Sequence, residues 1–360
     1  MPHDGLRRRN HFVPSTLLSA FTDSRRRDGA LWAYRRDQPA QPIRHTAGTI
    51  ALERDLYVRD LNGVRDDESE RFLAETIEGP FGPIRNRLVD GARVGLDGSI
   101  DALTPLERSS LARFLAYQLL RTPAERDASR WLGELSSFNF VSDELRRSGA
   151  IRRHFEDATG RELTEPEVAR LREVFSLALP QTAGVRDWIP RSFRNAERLA
   201  RLLYQKRWFL VRAAPGLPFV SCDMPMVVTE RSGAPGQFRL GAGVGLPTFE
   251  GTITIDPRLA LYLCTDNAST YLEHPDFVQS IWTRTIANAQ NWIFSQHLDP
   301  RISDQIASQQ RPFYYIEFGN EHYTSQDSPS AVARRLEDRA VEKFDFRYGV
   351  PTTPRGRFEA

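Results

Sequence analysis

Three side chains that can exchange protons or bind metal ions lie in distinctive contexts along the chain. His11 follows a run of arginines and precedes a proline, in the string Arg-Arg-Arg-Asn-His-Phe-Val-Pro. Glu78 stands before a Gly-Pro pair, and Asp223 ends an apolar segment in Ser-Cys-Asp-Met-Pro. One imidazole and two carboxylates can act as acid and base, or can hold Mg²⁺ or Mn²⁺ together with water. We therefore predict His11, Glu78 and Asp223 as catalytic residues and as candidate ligands of a divalent metal.

His11 and Asp223 also have structural interpretations. A single histidine is more often part of the packing than of a site, and the His-x-x-Pro setting of His11 matches only one corner of the ββα-metal nucleases. The remaining residues of that nuclease pattern are missing. An aspartate that precedes a proline, as Asp223 precedes Pro225, commonly binds the backbone of a turn. Both interpretations stay open at the level of the sequence.

A second pair of candidates lies on a helix of the middle region. Leu111, Phe114, Gln118 and Arg121 follow one another at steps of three, four and three, so two polar residues continue an apolar stripe. A buried guanidinium needs a partner, since an unpaired charge in the interior costs several kcal/mol. Arg121 therefore either caps carbonyls or pairs with a glutamate, or it holds a substrate phosphate or carboxylate.

Length and composition favour a folded protein without a membrane segment. The 360 residues are 40% hydrophobic, enough for a sizeable core, and no apolar run approaches the roughly 18 residues of a membrane span. The arginine-rich start lacks the apolar stretch of a secretory signal, so we expect a cytoplasmic protein. Cys222 and Cys264 are the only cysteines, which excludes a disulfide framework and a cysteine zinc cage.

The charge is nearly balanced overall and concentrated locally. The net charge is +2, but the first 36 residues hold eight arginines against three aspartates. Such an end of the chain could attract phosphates. Only two lysines occur, so the arginine bias also fits the codon usage of a GC-rich genome. The glycines of 241–245 precede Leu246-Pro247 where a helix should begin, so we expect no nucleotide cofactor.

The positions of helix and strand signals predict an α/β or α+β fold, with a helical layer on a mixed, mainly C-terminal sheet that also takes in N-terminal strands. Three Thr-x-x-Glu capping boxes, at Thr104, Thr122 and Thr164, predict helix starts. Further predicted helices cover 68–77, 81–89, 141–154, 191–204, 275–296 and 330–341. Predicted strands cover 30–36, 208–213, 218–221, 226–229, 251–255, 260–264 and 312–318. We expect 232–245 to be a long loop.

Several short motifs, in this order along the chain, resemble a bacterial family known as domain of unknown function 4238. They are Asn-His-Phe-Val-Pro at 10–14, Leu-Tyr at 56–57, Ile-Glu at 77–78, Gln-Leu-Leu-Arg-Thr-Pro at 118–123, Ser-Cys-Asp-Met-Pro at 221–225 and Asn288. The resemblance spans most of the chain. It implies one domain over 8–318, with a helical middle at about 104–205 and a strand-rich part at about 206–318, followed by a C-terminal helix and tail at 319–360. By the match, the family pattern falls on His11, Pro14, Glu78, Gln118, Arg121, Asp223, Pro225 and Asn288.

Two functional hypotheses and one structural hypothesis follow. The first is a metal-dependent hydrolase or nuclease, acting in bacterial defence on a phosphate-containing substrate such as a nucleic acid or nucleotide, in which Gln118, Arg121 and Asn288 orient that anionic substrate. The alternative is a non-catalytic module in which Arg121 and the N-terminal arginines bind an anion or nucleic acid. In the third, the polar residues form a buried network that fixes the packing of the helices on the sheet. The oligomeric state is left open by the sequence.

Overall fold

The protein has an α+β fold that divides into two compact units. The computed structural model describes residues 9–61, 64–93, 100, 103–143, 150–171, 188–231, 237–241, 243–265, 272, 274–318, 321–324, 326–329, 331–333, 345–352 and 355. Unit 1 comprises 1–123, 192–313 and 348–350, and unit 2 comprises 124–191, 314–347 and 351–360. The predicted domain boundaries stay a prediction. None of the described helices is both long enough and apolar enough to cross a membrane.

The helices cluster in the first two thirds of the chain, with two more near the end of unit 1. They are α1 (Ser15–Leu18), α2 (Glu68–Phe72), α3 (Gly79–Arg93), α4 (Pro105–Leu120), α5 (Pro123–Asp143), α6 (Ala150–Thr159), α7 (165–171), α8 (Trp188–Tyr204), α9 (Pro275–Asn288) and α10 (Pro300–Ala307). A 3₁₀ turn at Ser19–Phe21 follows α1, and a π-helical segment at Leu73–Glu78 joins α2 to α3.

Two antiparallel sheets form the centre of unit 1. The five-stranded sheet has the order β10 (Phe238–Leu240), β9 (Met226–Arg231), β11 (Phe249–Asp256), β12 (Leu259–Cys264) and β7 (Arg207–Arg212). The four-stranded sheet has the order β3 (Gln38–Thr46), β2 (Ala30–Arg35), β13 (Trp292–Ser295) and β8 (Ser221–Cys222). Two two-stranded sheets pair β1 (Arg9–His11) with β4 (Leu52–Arg54) and β5 (Arg59–Leu61) with β6 (Val64–Asp66). The described strand registers are antiparallel, so these sheets are not mixed as predicted.

Unit 2 combines α5, α6 and α7 with a three-stranded sheet. Its strands have the order β15 (Glu321–Thr324), β14 (Phe313–Phe318) and β16 (Asp345–Gly349). The core of this unit packs α5 against β14 and β15 through Trp131, Leu135, Ile316 and Tyr323, each at most 4% exposed. The indole Nε1 of Trp131 donates to the carbonyl of Asp327 at 3.0 Å, which satisfies the polar atom of this buried ring.

The capping box at Thr104 is confirmed, and the helix start predicted at Thr164 is confirmed with one of the two bonds of a capping box. The Glu107 amide donates to Thr104 Oγ1 at 3.3 Å, and the Glu107 carboxylate accepts the Thr104 amide at 2.9 Å, so two free N–H groups at the start of α4 are satisfied. The carboxylate of Glu167 accepts the Thr164 amide at 2.9 Å in the same way before α7. These local hydrogen bonds explain why the two helix starts can be predicted from four residues.

Several predicted element boundaries are wrong. The Gly-Pro pair at 79–80 does not break the helical path, because a π-helical segment leads directly into α3. The predicted helix at 275–296 ends at Asn288, and β13 follows it. The predicted helix over 141–154 is two helices, α5 and α6, whose connection lies outside the described residues. The loop predicted over 232–245 contains β10. The predicted helix at 330–341 lies mostly outside the described residues.

Four of the five strands predicted between 207 and 264 are confirmed, whereas the one predicted at 218–221 overlaps β8 only at Ser221. The five do not form one sheet. β8 belongs to the four-stranded sheet with the N-terminal strands, while β7, β9, β11 and β12 form most of the other one. The backbone explains the split, because Phe294 and Ile293 of β13 pair with Ser221 and Cys222 of β8. The end of β8 therefore lies beside β13 and the end of α9.

A buried ion pair fixes α9 on the five-stranded sheet. Arg284 of α9 is fully buried, and its Nη1 donates to Oε2 of Glu250 on β11 at 2.9 Å. The hydroxyl of Tyr262 on β12 donates to the other carboxylate oxygen of Glu250 at 2.7 Å. A buried charge needs such partners, so the pair holds one face of α9 against the sheet. The C-terminal end of α9 is positioned by this contact.

Candidate functional site

Arg121 stands at the C-terminal end of α4 and ties this helix to the N-terminal strand. Its side chain is only 2% exposed. Its Nε donates to the carbonyl of Phe12 at 3.1 Å and its Nη2 to the carbonyl of His11 at 2.6 Å. Its Nη1 lies 2.8 Å from Oε1 of Glu78 in an ion pair. Each nitrogen of the guanidinium therefore lies close to an oxygen of the protein, although Nη1 makes only the ion pair and no regular hydrogen bond among the described residues.

Tyr57 completes the surroundings of Arg121. The Tyr57 ring lies under the guanidinium at 5.9 Å, and its hydroxyl donates to the Arg121 carbonyl at 2.9 Å. Burial raises the pKa of the Tyr57 hydroxyl above its ordinary value, so it stays a donor at neutral pH. The Tyr57 backbone in turn donates to the side chain of buried Asn10 at 3.4 Å. Residues from three separate segments of the chain thus meet at Arg121.

His11 lies beside this cluster as a neutral imidazole. Burial, together with the positive charges of Arg27 and Arg121, lowers its pKa to about 4, while a hydrogen bond to the Ala47 backbone opposes the change. Its Nε2 is buried and has no hydrogen-bond partner in the described part of the chain. The Ala47 bond therefore belongs to Nδ1, which leaves Nε2 with an open lone pair.

Gln118 lies one helical turn before Arg121 on α4, and it is 1% exposed. Both its amide nitrogen and its amide oxygen are buried and have no hydrogen-bond partner among the described residues. A buried amide without partners costs free energy, so such a group marks a place where water or a ligand is expected. The structure gives no contact of Gln118 with an anion-binding side chain.

Asp223 lies at the end of β8, and its carboxylate binds backbone. Its two oxygens accept the amides of Gln290 at 2.8 Å, Asn291 at 2.6 Å and Trp292 at 3.1 Å, which form the turn between α9 and β13. Burial raises the pKa of Asp223 to about 6, while these three donors and the charge of Arg311 oppose the change. Asp223 therefore fixes the turn after α9, which is distant in sequence, whereas the structural interpretation expects it to bind the turn ahead of Pro225.

Asn288 holds the other side of the same turn. Its amide Nδ2 donates to the carbonyl of Met224 at 2.7 Å, and its own carbonyl accepts the hydroxyl of Tyr348 at 2.8 Å. Gln290 donates to the same hydroxyl at 2.8 Å. Asn288 is 2% exposed. It connects the end of β8 to the last turn of α9 through its side-chain amide.

The predicted site residues thus separate into two groups. His11, Glu78 and Arg121 meet at the N-terminal strand, with Gln118 on the same helix as Arg121, whereas Asp223 and Asn288 meet at the end of α9. Among the described residues, no three His, Cys, Asp or Glu side chains lie close enough together to hold a metal ion. Asp223 therefore does not complete a ligand set with His11 and Glu78.

The structure contains a pocket that the sequence did not predict, and we call it the arginine pocket. It has a volume of about 440 Å³. Its lining includes Arg35, Arg36, Asp37, Trp292, Gln309 and Arg311. In the sequence, the pair at 35–36 is part of the N-terminal excess of arginine. Its place at the end of a predicted strand is a sign of a possible site, but Arg311 is distant in sequence and comes close to the pair only in the fold.

The three arginines of this pocket differ in what they bind. Arg35 is paired with Asp37, its Nε donating to the carboxylate at 3.0 Å. Arg36 donates to the carbonyls of Ala289 at 3.1 Å and Ile286 at 3.3 Å, capping the end of α9, yet its Nη1 is buried with no hydrogen-bond partner in the described residues. Arg311 is exposed and makes no ion pair with any of the described residues. Arg311 therefore presents an exposed charge, and Arg36 keeps one buried nitrogen without a partner among the described residues.

Comparison with known proteins leads to a family. No curated protein and no solved structure matches the chain. A family model described as "Protein of unknown function (DUF4238)" matches residues 9–299. This range contains all six predicted site residues and the paired arginines of the arginine pocket, and it agrees with the resemblance seen in the motifs. The chain belongs to the DUF4238 family.

Proposed function

We propose that this protein binds a small anionic ligand in the arginine pocket. The observation that carries the proposal is the set of three arginines in the pocket lining against a single aspartate, with a nitrogen of Arg36 that has no partner among the described residues. Guanidinium groups remain charged and match the oxygens of phosphates and carboxylates, so such a lining favours an anion. The negative charge of Asp223, whose carboxylate binds the amides of the turn 290–292, acts on Arg36 and offsets part of this positive charge.

The size of the pocket supports a small molecule as the ligand. A volume of about 440 Å³ falls within the roughly 300–1,000 Å³ of small-molecule sites. The alternative predicted from the sequence, an anion-binding module, relied on Arg121 together with the N-terminal arginines. Arg121 is buried against oxygens of the protein and does not line the pocket, whereas Arg35 and Arg36 belong to that N-terminal group and do line it. The proposal therefore retains the anion-binding alternative but places the binding site at the arginine pocket and not at Arg121.

Arg311 offers the cleanest test, because it is exposed and makes no described contact that its loss would break. We expect wild-type protein to bind inorganic phosphate or pyrophosphate in isothermal titration calorimetry, and Arg311→Gln to weaken the affinity by about tenfold, the worth of a charge-assisted hydrogen bond. Arg198→Gln, which removes an exposed arginine of α8, is the matched control and should bind as wild type does. Absence of binding, or equal affinities of the two variants, would refute the proposal.

A hydrolase centred on His11 is a second candidate, favoured by the open Nε2 of that residue. Its backbone bond at Nδ1 is the orientation that metal-binding histidines commonly have. The side-chain amide of Gln118 also has no hydrogen-bond partner among the described residues. The binding of Mg²⁺ or Mn²⁺ at Nε2 of His11 stays a prediction. If this candidate is correct, hydrolysis of bis(p-nitrophenyl) phosphate in the presence of either metal ion is lost in His11→Ala and retained in His45→Ala, the control. Activity that survives in His11→Ala removes its basis.

A further inference from the structure

We infer that the ligand of the arginine pocket is a nucleoside monophosphate, whose flat ring lies on Trp292 while its phosphate meets Arg36 and Arg311. This inference rests on the proposed function, because it names the class of anion. Its further basis is an aromatic ring and a side-chain amide in the lining of the pocket.

Trp292 is a partly exposed aromatic side chain of the pocket lining, held in place from several directions. Its ring has the guanidinium of Arg35 over it at 5.9 Å and the ring of His45 edge-on at 6.2 Å. Its backbone is fixed by β13 and by the bond to Asp223. A ring held this firmly loses little freedom when a second flat ring stacks on it, and stacking accepts any base because every base has a π-face.

The polar groups around Trp292 are divided between two tasks. Asp37 occupies Arg35, so Arg36 and Arg311 are the cations that remain for a phosphate. Gln309 lines the same pocket, and its Oε1 is buried with no donor in the described part of the chain. An amide oxygen of this kind accepts from an exocyclic amine or a ring N–H. A phosphate end, a flat ring and a donor on that ring are the features of a nucleotide.

The pocket contains more space and more apolar surface than an inorganic anion requires. Besides Trp292, Ile306 contributes an apolar side chain to the lining. Ligand pockets of this kind combine an apolar wall with a few polar groups that fix orientation. A bare phosphate would leave the aromatic wall in contact with water, whereas a ring would cover it.

The test compares four ligands on the full chain by isothermal titration calorimetry: AMP, ribose 5-phosphate, adenosine and inorganic phosphate. We expect AMP to bind about 5- to 100-fold more tightly than ribose 5-phosphate, the range that base stacking provides. Adenosine should bind weakly, because it lacks the charge that the two arginines recognise.

A variant assigns the gain to the ring. Trp292→Leu should lower the affinity for AMP to that for ribose 5-phosphate and leave the latter unchanged. Trp32→Leu is the matched control, since Trp32 lies on the neighbouring strand β2 under Arg44 at 5.6 Å and does not line the pocket. Circular dichroism verifies that each variant is folded. If Trp292→Leu does not fold, the comparison of AMP with ribose 5-phosphate on wild-type protein still decides the inference.

The outcomes separate this inference from the proposed function. Equal affinities for AMP and ribose 5-phosphate would overturn the nucleotide while leaving an anion-binding pocket, and absence of binding by all four ligands would overturn both. A single-stranded oligoadenylate that binds far more tightly than AMP, with a steep dependence on salt, would replace the mononucleotide by a nucleic acid strand.

Discussion

Replacing Arg121 by lysine separates a structural tie from a substrate clamp. The guanidinium binds the carbonyls of His11 and Phe12 and the carboxylate of Glu78 at once, in three directions. A lysine keeps the charge, but a single ammonium on a flexible stem does not reproduce this planar fork. We therefore expect Arg121→Lys to lose about two of the three contacts.

The expected cost follows from the number of lost contacts. Hydrogen bonds to charged groups contribute about 1.5–3 kcal/mol each, so the loss of two lowers the free energy of unfolding by about 3 kcal/mol or more. Arg113 on the same helix supplies the matched control, because its pair with Glu197 is exposed, with 30% and 42% of the side chains accessible. Such a pair contributes about 0–1 kcal/mol, so Arg113→Lys should be nearly neutral.

Urea-induced unfolding followed by circular dichroism measures both variants, and titration with phosphate measures their affinity. We expect Arg121→Lys to be destabilised by about 3 kcal/mol and to bind phosphate as wild type does once folded, since Arg121 does not line the arginine pocket. A variant as stable as Arg113→Lys that has lost phosphate binding would refute this reasoning and restore Arg121 as a clamp.

Three further changes test other parts of the structure. Burial raises the pKa of Glu125 to about 7, so the ionised form is disfavoured in the fold and the free energy of unfolding falls as pH rises from about 4.5 to 7. In urea unfolding, Glu125→Gln should be more stable than wild type at pH 8, by up to about 3 kcal/mol, and equal to it at pH 4. Gly241 has φ +84° and an added Cβ would lie 1.7 Å from the Tyr348 carbonyl oxygen, so Gly241→Ala should lower the midpoint of thermal unfolding clearly, whereas Gly243→Ala, with only a side chain at 3.6 Å, should not. Thr104→Ala removes the cap of α4 and should cost about 1 kcal/mol in urea unfolding; no change would contradict the capping box.

The fold could be predicted best where its causes are local. The helix starts at Thr104 and Thr164 depend on four residues each. The short apolar runs between 207 and 264 are typical of strands. The end of α9 is different, because no residue near Asn288 breaks a helix by itself. Asp223, 65 residues earlier, stabilises the turn by accepting three amides, and such a contact has no local signature in the sequence.

The arginine pocket shows the same limit for the site. The pair at 35–36 carries an obvious charge in the sequence, but a charge indicates a site only when nothing nearby neutralises it. Asp37 neutralises Arg35, and the end of α9 uses most of the hydrogen-bonding groups of Arg36, leaving one nitrogen. Arg311, 275 positions away, decides whether a concentrated positive charge exists at all. The sequence therefore draws attention to Arg35 and Arg36 but does not indicate that they line a pocket.

The predicted site residues and the arginine pocket consequently have different roles in the fold. Arg121 and Glu78 join the N-terminal strand to α4, and Asp223 and Asn288 join β8 to the end of α9; each is a polar group whose partners are distant in sequence and buried. Removing one partner would leave the other desolvated, which is a sufficient physical reason for such residues to occur together. The bond from Asp223 to Trp292 also holds the aromatic wall of the arginine pocket. A pattern that secures the fold at this turn thus positions the groups proposed to bind the ligand, although its own side chains do not contact it.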